Sequence, residues 1–246
     1  MNKQQTILIT GGSAGIGFEM AKLFSEQGHH IIITGRNEAR LNEAAAKLDN
    51  VTPFVCDVTL EKDVDALVKK INSDYSNLSM LINNAGNAFY YRLYPGANAF
   101  EKASQEIMTN YLSIISLTEK LLPLLAMQPE AAVVNVSSIV AFVPGINIPT
   151  YSASKAALHS YTQSLRLTLA QATNIKVYEL MPPLVNTAFS KEIGGENGIP
   201  PQEVAQALAD ALAQRNYEIH VGNTAQMYAF SRQSPEEALV AMNNGR

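Results

Sequence analysis

Tyr151 stands four residues before Lys155 in the stretch "PTYSASKAALHSY". Four residues is about one helical turn, so in a helix the two side chains share a face. A free phenol has a pKa of about 10, and holding it ionised at pH 7 costs roughly 4 kcal/mol. A lysine ammonium one turn away offsets part of that cost. Such a pair could pass a proton to a carbonyl oxygen or take one from an alcohol. The spacing alone is a weak motif, and two unrelated helix neighbours would look the same. His159 continues the i, i+4 series and reads as packing.

A second set of residues points to a nucleotide. "ITGGSAGIG" follows a short apolar, β-branched run, Gln5 to Thr10, and precedes apolar residues at helical spacing. In that position Gly11 and Gly12 allow a tight turn, Gly15 lets a phosphate approach the backbone, and Gly17 lets the helix pack close to a sheet. The free N–H groups and the dipole at the helix start then favour a pyrophosphate. The second strand ends "IIITGRNEAR", with Gly35 and Arg36 where a site for NAD would carry an acidic residue. A small residue leaves room for a 2′-phosphate and a guanidinium can grip it, so NADP(H) is preferred and NAD(H) is the alternative. Arg36 could instead open a solvated turn, and Arg40 either assists or lies on the surface. Asp57, in "VCDVT", could accept a hydrogen bond from an adenine amino group or serve as a turn or cap residue. Cys56 beside it reads as a small buried residue.

The elements that would hold these residues alternate along the chain. Strand-like runs at "QTILIT", "HIIIT", "VTPFV", "LSMLIN", "AAVVNVS", "IKVYELM" and "YEIHV" are separated by helical segments. One long helix is expected from about 99 to 126, with Pro123 bending or ending it, and another from about 152 to 172. The expected class is α/β: a single Rossmann domain over residues 1–246, built on a doubly wound, seven-stranded parallel sheet with helices on both faces. A loop at about 186–201 could cover a site, and a short helical tail closes the chain.

Composition narrows the functions further. The 246 residues are 47% hydrophobic and 16% charged, with a net charge of −4 and no long basic run, which argues against a nucleic-acid surface. No apolar stretch approaches the roughly 18 residues of a membrane span. The opening "MNKQQTILIT" is too short for a signal-peptide core. With Cys56 as the single cysteine, a cytoplasmic location is expected. The four histidines offer no zinc-ligand spacing, and no metal is expected.

"TGGSAGIG", "NNAG" and Tyr-x-x-x-Lys in that order resemble the short-chain dehydrogenase/reductase family, over about residues 5 to 225. "GGSAGIG", "QPEAAVVNVSS", "SKAALHS" and "MPPLVNT" are similar to a bacterial subgroup of DltE-like oxidoreductases. The resemblance implies reversible hydride transfer between nicotinamide C4 and a carbonyl or alcohol, with Tyr151 as general acid/base and Lys155 supporting it. Asn110, in "IMTNYLS", would bend the long helix and hold a water for proton relay. Ser138, thirteen residues before Tyr151, would orient the substrate oxygen, with Ser137 the competing choice. Gly11, Ser13, Gly15, Ile16, Gly17, Arg36, Asp57, Val58, Asn84, Ala85 and Gly86 would line the cofactor site. Lys155 would also hold ribose hydroxyls, and Val185 and Thr187 would contact the nicotinamide amide or the phosphates; Thr187 could instead be a helix cap. Pro183 replaces the glycine usual in the family, which puts the local loop geometry in question. A catalytically silent NADP(H)-binding sensor is the alternative function.

The substrate side is apolar. Phe89, Val140, Phe142, Ile146, Pro183 and Leu184 lie near carboxyl ends of strands and could wall an uncharged carbonyl or alcohol. Arg92 could bind an acid group or lie on the surface. The resemblance further implies a homodimer or homotetramer.

Overall fold

Apolar, β-branched runs build the sheet. Strands β1 (Thr6–Thr10), β4 (Leu78–Asn83) and β5 (Ala131–Val136) are buried along their whole length, as strands covered on both faces must be. With β2 (His30–Gly35), β3 (Val51–Val55), β6 (Ile175–Met181) and β7 (Glu218–His220) they form one sheet in the order β3-β2-β1-β4-β5-β6-β7. Every pairing is parallel. These elements come from a computed structural model that describes residues 4–244.

The helices are α1 (Gly15–Glu26), α2 (Glu38–Ala45), α3 (Glu61–Asp74), α4 (Ala99–Ile107), α5 (Ser113–Ala126), α6 (Pro149–Ala172), α7 (Pro201–Gln214), α8 (Thr224–Gln233) and α9 (Pro235–Asn243). Strand alternation sends Ile7, Ile9, Ile31 and Ile33 to one face, against Met20 and Phe24 of α1, Leu41 of α2 and Leu208 of α7. It sends Leu8, Ile32, Leu81 and Val133 to the other, against Leu67 of α3, Leu121 of α5 and Leu169 of α6. A third apolar cluster lies beyond the end of β5, where Ile139, Val140, Val143 and Ile148 pack on Ala238 and Met242 of α9.

The strand order reverses between β1 and β4. Loops leaving the carboxyl ends of these two strands diverge, and the crevice between them is where a doubly wound sheet binds ligands. The loop after Thr10 carries the glycine turn, and the loop after Asn83 carries Asn84-Ala85-Gly86.

Three local expectations change. The long helix is interrupted at a π-helical turn, Met108–Leu112, which centres on the buried Asn110. Pro123 lies inside α5, which continues to Ala126 rather than stopping at the proline. A π turn of this kind is a feature that recurs at functional sites. Helix α6 begins at Pro149, because a proline at the first helical position has no N–H to leave unpaired. The loop at about 186–201 is built from 3₁₀ turns, Ala188–Ile193 and Gly195–Asn197, and an isolated parallel bridge, Val185 to Ile199, ties its two ends together.

Candidate active site

The glycine turn is shaped by contacts that tolerate no side chain. Gly11 and Gly15 have φ of +66° and +54°, in the left-handed region that favours glycine. A Cβ on Gly17 would stand 2.3 Å from the Gly11 carbonyl oxygen and 2.5 Å from the Asn84 side chain. That carboxamide braces the turn, its Nδ2 donating to the carbonyls of Thr10 at 2.9 Å and Gly11 at 3.1 Å. The N–H groups of Asn84 and Ala85 both donate to the Thr10 hydroxyl, at 2.9 and 3.0 Å. "NNAG" thus locks the two diverging loops together.

Above this turn lies a cleft of about 440 Å³. Gly11, Ser13, Gly15, Ile16 and Gly17 border it from the first loop, and Asn84, Ala85 and Gly86 from the fourth. Val185 and Thr187 close it from the loop after β6, and Ser138, Tyr151 and Lys155 form its far end. A smaller cleft of about 210 Å³ adjoins it, lined by Arg36, Arg40, Asp57 and Val58. A dinucleotide fits this surface. Helix α1 starts without a side-chain cap and without an acidic residue in its first turn, so its amide groups and dipole are available to an anion. Gly35 and the two arginines suit a further phosphate.

Tyr151 is half-buried, and the Ser138 side chain lies near enough to its phenol to act on it. Burial pushes its pKa above the usual phenol range, the Ser138 side chain acts against this, and the nearby Glu106 adds to it. Lys155 is buried, and its Nζ donates to the Val136 carbonyl at 2.8 Å while lying 5.6 Å from the centre of the Tyr151 ring. Burial pulls the ammonium down to about 8, and the charge of Glu179 acts in the opposite direction. The direct bond of the lysine is thus to the end of β5.

Asn110 lies behind the cleft. Its Nδ2 donates to the Asn87 carbonyl and the Ser154 hydroxyl, at 2.8 and 2.9 Å, and its Oδ1 accepts from the Asn87 N–H at 2.8 Å. Ser154 in turn donates to the Tyr151 carbonyl at 2.7 Å. Both Asn110 donors are thus engaged by protein, linking the loop after β4 to the first turn of α6.

Several residues take the second of the roles open to them, or a contact beyond the one expected. Ser137 borders the cleft as well, but its hydroxyl donates to Glu179 Oε1 at 2.5 Å. His159 stacks edge-on to Phe142, as packing requires, but its Nδ1 also meets both Glu179 oxygens, at 3.0 and 2.9 Å. Asp57 accepts from the Thr59 N–H and hydroxyl, the turn role, while still bordering the smaller cleft. Thr187 caps the following 3₁₀ turn through a reciprocal arrangement with Ser190, and its methyl lies 3.2 Å from where a Gly15 Cβ would be. Cys56 is buried, and burial with Asp63 and Asp57 nearby pushes its thiol up to about 12, so it is no nucleophile.

On the substrate side Val140, Pro183 and Leu184 border the cleft as expected. Phe89, Phe142 and Ile146 do not. Phe142 packs instead on His159, His220 and Tyr228. Arg92 donates to the Asn147 side chain at 2.6 Å. Tyr90, Ile148, Phe189, Ile193 and Met242 also line the cleft, beside one carboxylate residue, Glu192. Met242 comes from the far end of the chain, and nothing local in the sequence marks it. Glu179 had a visible signal: it is the one acidic residue within the apolar strand "IKVYELM", at a position the sheet must bury. Among the described residues no cluster could hold a metal ion, and no helix is long and apolar enough to cross a membrane.

A sequence model for short chain dehydrogenases matches residues 5–198. The chain belongs to that family. It is accordingly a dehydrogenase or reductase that depends on a nicotinamide cofactor. Among the relatives of this short chain dehydrogenase is the "uncharacterized oxidoreductase DltE" of Bacillus subtilis (strain 168), 39% identical over 219 residues, which are 87% of this chain and 86% of that one. A short chain dehydrogenase from Burkholderia cenocepacia J2315, solved in complex with NADP, is 25% identical with a TM-score of 0.85, over 99% of both chains. One from Burkholderia phymatum, solved in complex with NAD, shares the fold with a TM-score of 0.88 at 20% identity, over 99% of this chain and 97% of that one.

Proposed function

We propose that this short chain dehydrogenase is an NADP(H)-dependent enzyme that interconverts an uncharged, largely apolar carbonyl compound and its alcohol, with Tyr151 as general acid/base. The observation that carries this reading is the convergence of Ser138, Tyr151 and Lys155 at the end of the cleft that the glycine turn borders.

The bound nicotinamide would supply or accept the hydride at its C4. In reduction, Tyr151 Oη gives its proton to the carbonyl oxygen as the new C–H bond forms, leaving a C–O–H group. The raised pKa of Tyr151 keeps the phenol protonated at neutral pH, which favours the role of acid. Ser138 Oγ would donate to the same oxygen and fix its direction. Lys155 lowers the energy of the phenolate left behind and would reach ribose hydroxyls. Asn110 acts through Ser154 on the backbone of the first turn of α6. The pyrophosphate would lie on the amides of Gly15 to Gly17, and Val185 and Thr187 would flank the nicotinamide end.

NADP(H) is favoured over NAD(H) by Arg36 and Arg40 at the smaller cleft, with Gly35 leaving space beside them. The NADP-bound relative from B. cenocepacia supports the same preference. The deciding experiment follows nicotinamide absorbance with NADPH or NADH and a panel of ketones and aldehydes. NADPH-dependent turnover that collapses in Tyr151→Phe is expected. Tight cofactor binding with no turnover on a broad panel would favour the silent sensor.

Self-association belongs to the same reading. Phe100 of α4 is 87% exposed, and Met108 and Leu112 of the π turn and Leu167 of α6 are exposed as well. Apolar side chains at this spacing on neighbouring helices suit pairing with a second copy. Light scattering at micromolar concentration should give a dimer or tetramer, and a monomer would refute the pairing.

A further inference from the structure

Glu179 is fully buried in the middle of β6, at 0% exposure. A carboxylate there is costly unless it is hydrogen-bonded and faced by positive charge. Its hydrogen bonds are to Ser137 Oγ, from the end of β5, and to His159 Nδ1, from α6. Positive charge comes from the same helix. Lys155 lies one turn before His159 on the face that covers β5 and β6, and feels the carboxylate's charge. Arg166, farther along α6, is already engaged by Glu218 at 2.8 Å and by the Val177 carbonyl at 2.9 Å.

We propose that Glu179 is a positioning residue for the Tyr151 chemistry: a buried counter-charge, held in place by Ser137 and His159, that keeps Lys155 in its ammonium form. This rests on the catalytic reading of Tyr151 and Lys155 given above.

Lys155 needs such a partner. It is buried, and its hydrogen bond to Val136 is to a neutral carbonyl, which does not balance a charge out of water. Burial alone favours the neutral amine, and the carboxylate is what opposes it. An amine that has lost its proton no longer stabilises a phenolate on Tyr151. The working range of the enzyme then depends on Glu179, although Glu179 does not border the cleft.

The groups around this pair are few. From α6, Tyr151, His159 and Arg166 accompany Lys155. From β5 comes the Ser137 hydroxyl. From β7 come Glu218, the cross-strand partner of Glu179, and His220, which feels the charges of Glu179, Glu218 and His159. Glu106, buried on α4, acts on Tyr151 as well. His159 and Glu218 lie toward the solvent side of the cluster, so the outer members are partly screened while Lys155 and Glu179 are not.

The test is the pH profile of kcat/KM for NADPH-dependent ketone reduction, between about pH 6 and 10, in wild type, Glu179→Gln and Glu179→Asp. Glutamine keeps the shape and hydrogen bonding but removes the charge. The alkaline limb should move about one pH unit toward acid in Glu179→Gln, because Lys155 loses its proton earlier. Glu179→Asp should keep the limb near its wild-type position. A purely structural latch between β5, β6 and α6 would lower thermal stability and leave the limb where it was, and that outcome overturns the proposal.

A second readout does not need turnover. In protein labelled with ¹⁵N-lysine, the Lys155 ammonium should titrate at lower pH in Glu179→Gln than in wild type. An unchanged midpoint overturns the proposal even if the enzyme is active, whereas a shifted midpoint in a protein without turnover upholds Glu179 as the counter-charge of Lys155 and overturns the catalytic reading, and with it the positioning role, instead. Should Glu179→Gln not fold, the carboxyl ¹³C resonance of Glu179 in wild type decides. It should stay at the carboxylate position throughout the range in which Lys155 keeps its proton, and a neutral carboxylic acid there overturns the proposal.

Discussion

Asn243, at the end of α9, holds the loop that leads into Tyr151. Its Nδ2 donates to the Pro144 carbonyl at 3.0 Å, and its Oδ1 accepts from the Ile146 N–H at 2.8 Å. The neighbouring Met242 shares an apolar cluster with Ile148 and Val140 and forms part of the cleft wall. The tail of the chain, which lies beyond the matched residues 5–198, thus shapes the substrate side.

From that clasp follows a prediction about selectivity. Met242→Ala removes most of a buried side chain and enlarges the cleft. Activity should shift toward ketones with bulkier apolar substituents, with kcat/KM ratios changing by roughly tenfold, the usual effect of a methylene or two in an apolar pocket. Asn243→Ala should raise the KM for the ketone more than that for NADPH, because the glycine turn is untouched. Steady-state kinetics over a graded ketone series measures both. Equal losses for all ketones would make α9 a packing element without influence on selectivity.

Tyr151→Phe removes the proton donor and leaves the ring. Turnover should fall at least about a hundredfold, the lower end of what a positioned acid contributes. The Kd for NADPH, read by fluorescence titration, should change less than about twofold. Ser138→Ala should lose less, since the phenol remains, and its loss should appear mainly in kcat.

Arg36→Ala combined with Arg40→Ala tests the nucleotide preference. Each hydrogen bond to a charged group contributes about 1.5–3 kcal/mol, so losing one good contact weakens binding roughly tenfold or more. The Kd for NADPH should rise by that factor while the Kd for NADH stays nearly constant. Competition titration of the two cofactors gives the ratio directly. An unchanged ratio would place the preference elsewhere.

The parts of the molecule that were legible beforehand are those encoded locally. The glycine turn, "NNAG" and the Tyr151–Lys155 pair each lie within a few residues, and the alternation of strands and helices fixed their order along the sheet edge. Ser138 was separable from Ser137 by its distance from Tyr151, and the structure turns Ser137 toward Glu179 instead. What stayed hidden depends on contacts between distant segments. Asn243 meets Pro144 across a separation of 99 residues, and Glu179 meets Ser137 across 42. No periodicity reports such pairs. Phe89 and Phe142 were misplaced for a related reason: the strand end at which a residue lies does not tell which way its side chain turns.

The His159–Glu179 pair makes a prediction about stability. The hydrogen bond and charge of Glu179 raise the pKa of His159 above its ordinary value. The folded protein therefore binds this proton more tightly than the unfolded chain does. The stabilisation is fully present below the unfolded histidine value of about 6.5 and is lost as pH rises through the higher folded value. His159→Gln keeps a donor for the carboxylate but never carries a charge. Its deficit in Tm relative to wild type should be largest near pH 5.5 and shrink toward pH 8.5. Lys155 affects both proteins alike over this range, so the difference between their Tm curves isolates His159. Calorimetry or circular dichroism melts at five or six pH values would supply the curves, and a deficit that stays constant, or grows toward alkali, would mean that the His159 contact stabilises the fold without carrying charge.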